Sequence, residues 1–250
     1  MNKLWSITKR VVSHILFAPA VSVCTNFVVT HLRGGRIRHQ GRILTLDSEI
    51  VLPWVKNLIF WGMYESAELR LIDRHLPNDV SVIELGGSLG IVTSHIANRI
   101  VGSLVTVEAD PRLISMLAAN AGPTVTVVNA AISYESTHSY VGIDFGESSL
   151  SGRISSNGRP DASVPRITLS GLISKHRIGA FALVSDIEGG EIGIFRRDAA
   201  ALTNCHLIII ELHEATFAGC NFTINDTATS IVDLGYRLID QHHNVFVFRR

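Results

Sequence analysis

Val82-Ile83-Glu84-Leu85-Gly86-Gly87-Ser88-Leu89-Gly90 decides how the rest of the chain is read. A short β-branched and aliphatic run ends in glycines, and residues 91–101 then space their apolar side chains as a helix does. A glycine turn between strand and helix lets backbone approach a ligand closely and aims helix N–H groups at it. The dinucleotide fingerprint requires glycine at the first, third and sixth positions. Counted from Gly86 these are Gly86, Ser88 and Ile91, so the fingerprint fails. No Gly-Lys-Ser/Thr follows either, which excludes a P-loop. A tight turn with no ligand is the plain structural alternative.

Outward from this turn the pattern is regular. A helix is expected over Glu65–Leu76, a strand over Val80–Leu85, a helix over Ile91–Val101 and a strand over Leu104–Glu108. Pro111–Asn120 reads as a helix with Asp110 as N-cap, and Val125–Val128 as a strand. Residues 133–165 are rich in serine and glycine and read as a short hairpin plus a mobile loop. Order resumes with a helix at Leu169–His176, a strand at Ala180–Asp186, a helix at Glu191–Leu202, a strand at Leu207–Leu212 and a helix at Thr227–Leu234. Two strands, Tyr236–Asp240 and Val245–Phe248, close the chain as a hairpin. Such alternation predicts an α/β fold with a mostly parallel sheet of about seven strands, helices on both faces and a C-terminal antiparallel hairpin.

Glu108 ends the second strand of this series, where a carboxylate could accept both hydroxyls of a ribose. A glycine turn plus that acid, without pyrophosphate geometry, suits a nucleoside cofactor lacking phosphates, and S-adenosylmethionine is one.

The chain resembles the FkbM-type S-adenosylmethionine-dependent methyltransferases. The resemblance rests on the opening segment, on Val107-Glu108-Ala109-Asp110-Pro111, Asn129-Ala130-Ala131-Ile132 and Ile167-Thr168-Leu169, and on Asp186-Ile187-Glu188-Gly189-Gly190-Glu191. It departs from the family at Val184, Ser170 and Glu84, where Lys, Asp and Asp are usual. It implies a class I methyltransferase (Rossmann-like) fold with the cofactor held by Glu84, Gly86, Gly87, Ser88, Gly90, Glu108, Asn129 and Ala130. Glu84 would lie below the methionine end. The three glycines would allow close approach, and Asn129 would donate to an adenine nitrogen. Methyl transfer from a sulfonium leaves the enzyme to position the acceptor and remove its proton. Asp186 is the first candidate, as base or as a ligand to the methionine end, followed by Glu188 and His213. Helix capping is the alternative for Glu188 and Glu191. No metal-specific spacing is present, so no metal ligand is assigned.

The expected function is O-methylation of a hydroxyl of a sugar, glycan precursor or natural product, with Tyr134, Tyr140 or Arg153 touching the acceptor. The competing class is a non-catalytic interaction module on the same fold. An NAD-dependent oxidoreductase lacks the required third glycine.

The 250 residues are 46% hydrophobic and 18% charged, enough for a sizeable core. Charge sums to zero, but unevenly. Residues 1–46 hold Lys3, Lys9, Arg10, Arg33, Arg36, Arg38 and Arg42 and no acid, leaving 15 bases against 22 acids in the remainder. An acidic catalytic domain argues against a nucleic-acid partner. Domains are expected at 1–63, a basic and apolar helical extension, and at 64–250, the methyltransferase. Residues 11–32 carry no charged side chain. They suit an extension packed on the domain or on a homodimer mate, or peripheral contact of residues 1–46 with a membrane. A transmembrane span and a secretory signal with Val11–Phe17 as its apolar core are weaker readings. Three cysteines without zinc spacing read as reduced thiols, and the expected location is cytoplasmic, with membrane association.

Overall fold

The computed structural model describes residues 19–39, 41–46, 49–134, 138–145, 153–154 and 160–250. The chain divides into two compact units, one ending at Ser66 and one spanning Ala67–Arg250.

In the first unit α1 (Pro19–Phe27) runs into a π-helical turn over Val28–Leu32. Strands β1 (Arg36–His39) and β2 (Arg42–Thr45) then pair antiparallel, and α2 (Pro53–Phe60) follows. The expected extension was wholly helical. The strands arise from alternation: Ile37, His39 and Leu44 turn inward while Arg36, Arg38 and Ile43 face out. The apolar core of the signal-peptide reading, Val11–Phe17, lies outside the described residues, as does the first part of the 11–32 run. No helix among the described residues is long and apolar enough to cross a membrane.

The second unit opens with α3 (Ser66–His75), whose first residue belongs to the preceding unit. Then come β3 (Ser81–Leu85), α4 (Ile91–Arg99), β4 (Leu104–Glu108), α5 (Ile114–Ala121) and β5 (Val125–Asn129). Helix α5 begins later than the Pro111 start expected. Asp110 is not its N-cap: its carboxylate accepts the N–H and guanidinium of Arg112, and its carbonyl accepts Leu113 N–H, closing a turn before the helix.

The described residues between 131 and 167 hold more order than a hairpin and loop. Strands β6 (Ala131–Ile132), β7 (Tyr140–Asp144), β8 (Arg153–Ile154) and β9 (Ala162–Ile167) form a small sheet ordered β6-β9-β7-β8. Val141, Ile143 and Val164 give it a core of its own with Ala131. Stretches between these strands, and the Arg153 side chain, lie outside the described residues.

The chain continues through α6 (Leu169–His176), β10 (Phe181–Ser185), α7 (Glu191–Arg197), a 3-10 turn over Ala199–Asn204 and β11 (Cys205–Glu211). A small hairpin that the sequence reading missed, β12 (Ala215–Phe217) and β13 (Cys220–Phe222), precedes α8 (Ile224–Asp233). Thr223 and Asp226 close a capping box at the start of α8. Strands β14 (Arg237–His242) and β15 (Val245–Arg249) end the chain.

The main sheet has seven strands in the order β14-β15-β11-β10-β3-β4-β5, with β15 antiparallel to both neighbours. Alternation along each strand sorts side chains onto two cores. Ile83, Leu85, Phe181, Leu183, Ile208 and Ile210 face α6, α7 and α8. Val82, Ala182, Val184, Leu207 and Ile209 face α3 and α4. Strand order reverses between β3 and β10, so the carboxyl ends of these two strands open a crevice at the switch point.

Candidate active site

The turn after β3 is built from backbone. Gly86 has φ of +93° and Gly90 +79°, in the left-handed region that favours glycine. Ser88, at φ +45°, adopts it without that freedom, a strain typical of ligand-clamping turns. A Cβ on Gly86 would strike the Asp186 carbonyl, one on Gly87 would strike Thr106 and Leu117, and one on Gly90 would crowd Leu117 and Asn120. The glycines therefore serve first to pack the turn against β10 and α5, a role distinct from the close cofactor approach expected of them.

Glu108 anchors the turn. One oxygen accepts Ser88 N–H at 2.7 Å, the other Asp110 N–H at 2.7 Å. Burial raises its pKa, opposed by those two N–H groups. Each oxygen retains acceptor capacity for a hydroxyl. Ser88 Oγ is buried with no hydrogen-bond partner in the turn. A strained backbone cradle, a fixed carboxylate and an orphaned hydroxyl fit the amino-acid and ribose parts of S-adenosylmethionine.

Glu84 is fully buried on the α4 side of the sheet, where Thr93 donates to it at 2.6 Å. Burial pushes its carboxyl up to about 7, while the hydroxyls of Thr106 and Thr93 pull it down. Asn129 ends β5, and its amide donates to the carbonyls of Glu108 at 2.9 Å and Ala109 at 3.1 Å. These two bonds hold the Glu108–Asp110 turn in place, a role other than the expected donation to an adenine nitrogen. Ala130 is buried next to it.

The second half of the crevice is built from side chains. Asp186 N–H donates to Leu85 O at 2.9 Å, which ties the end of β10 to the glycine turn. Glu191, at the start of α7, is buried. Its two oxygens accept the N–H groups of Ile187 at 2.7 Å and Gly189 at 2.8 Å, and burial raises its pKa. The bent segment it holds carries Glu188 at φ +55°. His213, just beyond β11, faces three carboxylates. Its Nδ1 is 3.9 Å from Asp186 Oδ1, and its Nε2 is 4.0 Å from Glu188 Oε2 and 3.8 Å from Glu211 Oε1. Nδ1 is buried and makes no hydrogen bond. Asp186, Glu188 and His213 are therefore brought together. Asp186, Glu191 and His213 also offer ligand atoms within 4.8 Å of one another, although both Glu191 oxygens already accept backbone N–H groups.

Glu211 was missed, yet its signal is the one that singled out Glu108: an acid ending a continuous apolar strand. Tyr134 does not face an acceptor. Its hydroxyl donates to Asp198 at 2.9 Å and accepts Leu169 N–H at 3.0 Å, and its ring packs where a Cβ on Gly193 would sit. Tyr140 is exposed on β7.

The family model described as Methyltransferase FkbM domain matches residues 92–238, more than half of the chain. The chain belongs to the FkbM methyltransferase family. It is an S-adenosylmethionine-dependent methyltransferase with the class I, Rossmann-like fold. Among curated proteins none matches this FkbM chain. Solved structures similar to it include a TehB-like SAM-dependent methyltransferase from Corynebacterium glutamicum, at 17% identity over 78% of this chain and 93% of that one, TM-score 0.45. A ribosomal protein L11 methylase from Lactobacillus delbrueckii subsp. bulgaricus is similar at 9% identity over 75% and 77%, TM-score 0.46. A magnesium protoporphyrin IX methyltransferase from Synechocystis PCC 6803 with bound SAH is similar at 11% identity over 74% and 81%, TM-score 0.43.

Proposed function

We propose that this enzyme O-methylates a hydroxyl of a sugar, glycan precursor or natural product, and that Asp186 takes the acceptor's proton. The observation that carries this reading is the meeting of Asp186, Glu188 and His213 at the ends of β10 and β11, directly beside the glycine turn.

S-adenosylmethionine supplies an electrophilic methyl group and departs as a neutral thioether. Residues of the domain from residue 64 onward do the rest. When the cofactor is bound, Glu108 would accept ribose hydroxyls, Ser88 and the backbone of Gly86, Gly87 and Gly90 would hold the amino-acid end above Glu84, and Ala130 would flank the adenine. An alcohol is too weak an acid to ionise unaided at neutral pH, so its proton must leave as the bond forms. Asp186 receives that proton. Glu188 and Glu211 accept further hydroxyls of a polyol, the donors a carboxylate cluster matches best. His213, ringed by these acids, takes the proton on from Asp186 and carries it towards solvent. Anionic acceptors such as nucleic acid are repelled by the same carboxylates.

A labelled methyl-donor assay on cell extracts tests this, with Glu108→Ala as the cofactor-binding control. An alkali-stable methyl ether on a neutral polyol is expected. An N-methyl product or a base-labile methyl ester would overturn the O-methylation reading.

A further inference from the structure

The first unit carries a surface to which the proposed function assigns no role. Helix α1 is apolar on more than one side, yet it is not enclosed. Val23 is 67% and Phe27 54% exposed, one turn apart, and the Phe27 ring lies 5.1 Å from that of His31 in the next turn. On its other side α1 forms with α2 an open apolar trough of about 320 Å³, lined by Val21, Cys24, Thr25, Val28, Phe60 and Trp61. A helix apolar on several sides is normally buried, and an exposed apolar patch marks a contact surface.

Basic side chains accompany these apolar ones. The Arg33 guanidinium stands 5.6 Å above the Phe60 ring. Trp61, 50% exposed, meets Phe60 edge-on at 5.4 Å and is held by donating to Asn57 at 3.1 Å. The outward face of the hairpin sets Arg38 opposite Ile43, which is 65% exposed, and Arg36 opposite Thr45. Only Glu49 and Glu65 are acidic among the described residues of this unit.

We propose that this unit docks on an anionic lipid bilayer, with the trough taking an acyl chain and Arg33, Arg36 and Arg38 meeting headgroup phosphates. Charge complementarity selects an anionic partner. The apolar residues select lipid over nucleic acid. Exposed Val23 and Ile43 gain nothing from a phosphate backbone, whereas tryptophan, arginine and aliphatic side chains together suit the headgroup–acyl boundary. With no membrane-crossing helix among the described residues, the attachment they provide is peripheral.

The sequence provides its own reporter. All three tryptophans, Trp5, Trp54 and Trp61, lie in the first 66 residues. Titrating the full chain with phosphatidylcholine vesicles containing phosphatidylserine should shift tryptophan emission to the blue and sediment the protein with the lipid. Phosphatidylcholine alone, or high salt, should abolish both. Arg36→Ala with Arg38→Ala should weaken partitioning about 30-fold, the loss expected for two arginines near an anionic surface. Ile43→Ser should weaken it several-fold, and neither change should alter S-adenosylhomocysteine binding. Failure to sediment with phosphatidylserine vesicles at low salt would overturn the proposal. So would binding of a model RNA without vesicle binding, or wild-type partitioning by the double arginine variant.

Discussion

The two halves of the crevice are made differently. Around the glycine turn the acids are anchored: Glu108 by the Ser88 and Asp110 N–H groups, and one oxygen of Glu84 by Thr93. These groups are buried and fixed before any ligand arrives. Around His213 the acids stand 3.8–4.0 Å away, too far for hydrogen bonds, on partly exposed side chains. Under the proposed function the first half would be a preorganised cofactor cradle and the second the side that receives the acceptor. Preorganisation is affordable where the ligand is always the same. Slack is useful where proton transfer must follow the acceptor's own geometry.

Breaking the second half should cost most in rate. Asp186→Asn keeps the size of the side chain and removes its basicity, so turnover should fall about a thousandfold, the middle of the range for a general base. A variant turning over within about threefold of wild type would move the base elsewhere, with Glu188 the next candidate.

Breaking the first half should show in stability. The Glu84 carboxyl is raised to about 7 from an ordinary 4.5. Below pH 4.5 it is protonated in both folded and unfolded chains. Between that value and about 7 the unfolded chain releases its proton while the folded protein keeps it, so stability falls as pH rises across this window. The loss levels off above the folded value, after a total of about 3 kcal/mol. Thermal denaturation of the ligand-free protein at stepped pH should show this decline, and Glu84→Gln should flatten it. An unchanged slope in the variant would mean that another buried acid is responsible.

His213→Gln should have a smaller effect, about tenfold on turnover, because the residue acts through Asp186 rather than on the acceptor. Cofactor affinity should stay put. Dialysis against a chelator should change turnover least, by less than about twofold if proton transfer alone suffices at this cluster. A chelator-induced loss restored by magnesium would convert the Asp186–Glu191–His213 group into a metal site.

The strand ends that frame both halves are legible in the sequence, and for one physical reason. Buried parallel strands are continuous apolar runs, and their ends show as glycine or acid, as at Leu85-Gly86, Val107-Glu108 and Ser185-Asp186. Strands β3, β4, β10 and β11 were found in this way. What escaped is short or one-sided. β12 and β13 are three residues each, and the sheet of β6 to β9 is drawn from serine-rich sequence with a core of a few side chains. The β1–β2 hairpin hides in a segment whose arginines mask its alternation. Roles that depend on a hydrogen-bond partner far along the chain were invisible too. Asn129 reads as a free amide until Glu108 and Ala109 are seen to occupy it, and Tyr134 reads as accessible until Asp198 and Leu169 hold it.

Calorimetric titration of S-adenosylhomocysteine into wild type, Glu108→Ala and Asp186→Asn tests the division between the halves most directly. Wild type should bind, Glu108→Ala should bind at least about tenfold more weakly through loss of the turn anchor and the ribose acceptors, and Asp186→Asn should bind as wild type does. No binding by wild type, or a loss confined to Asp186→Asn, would contradict it.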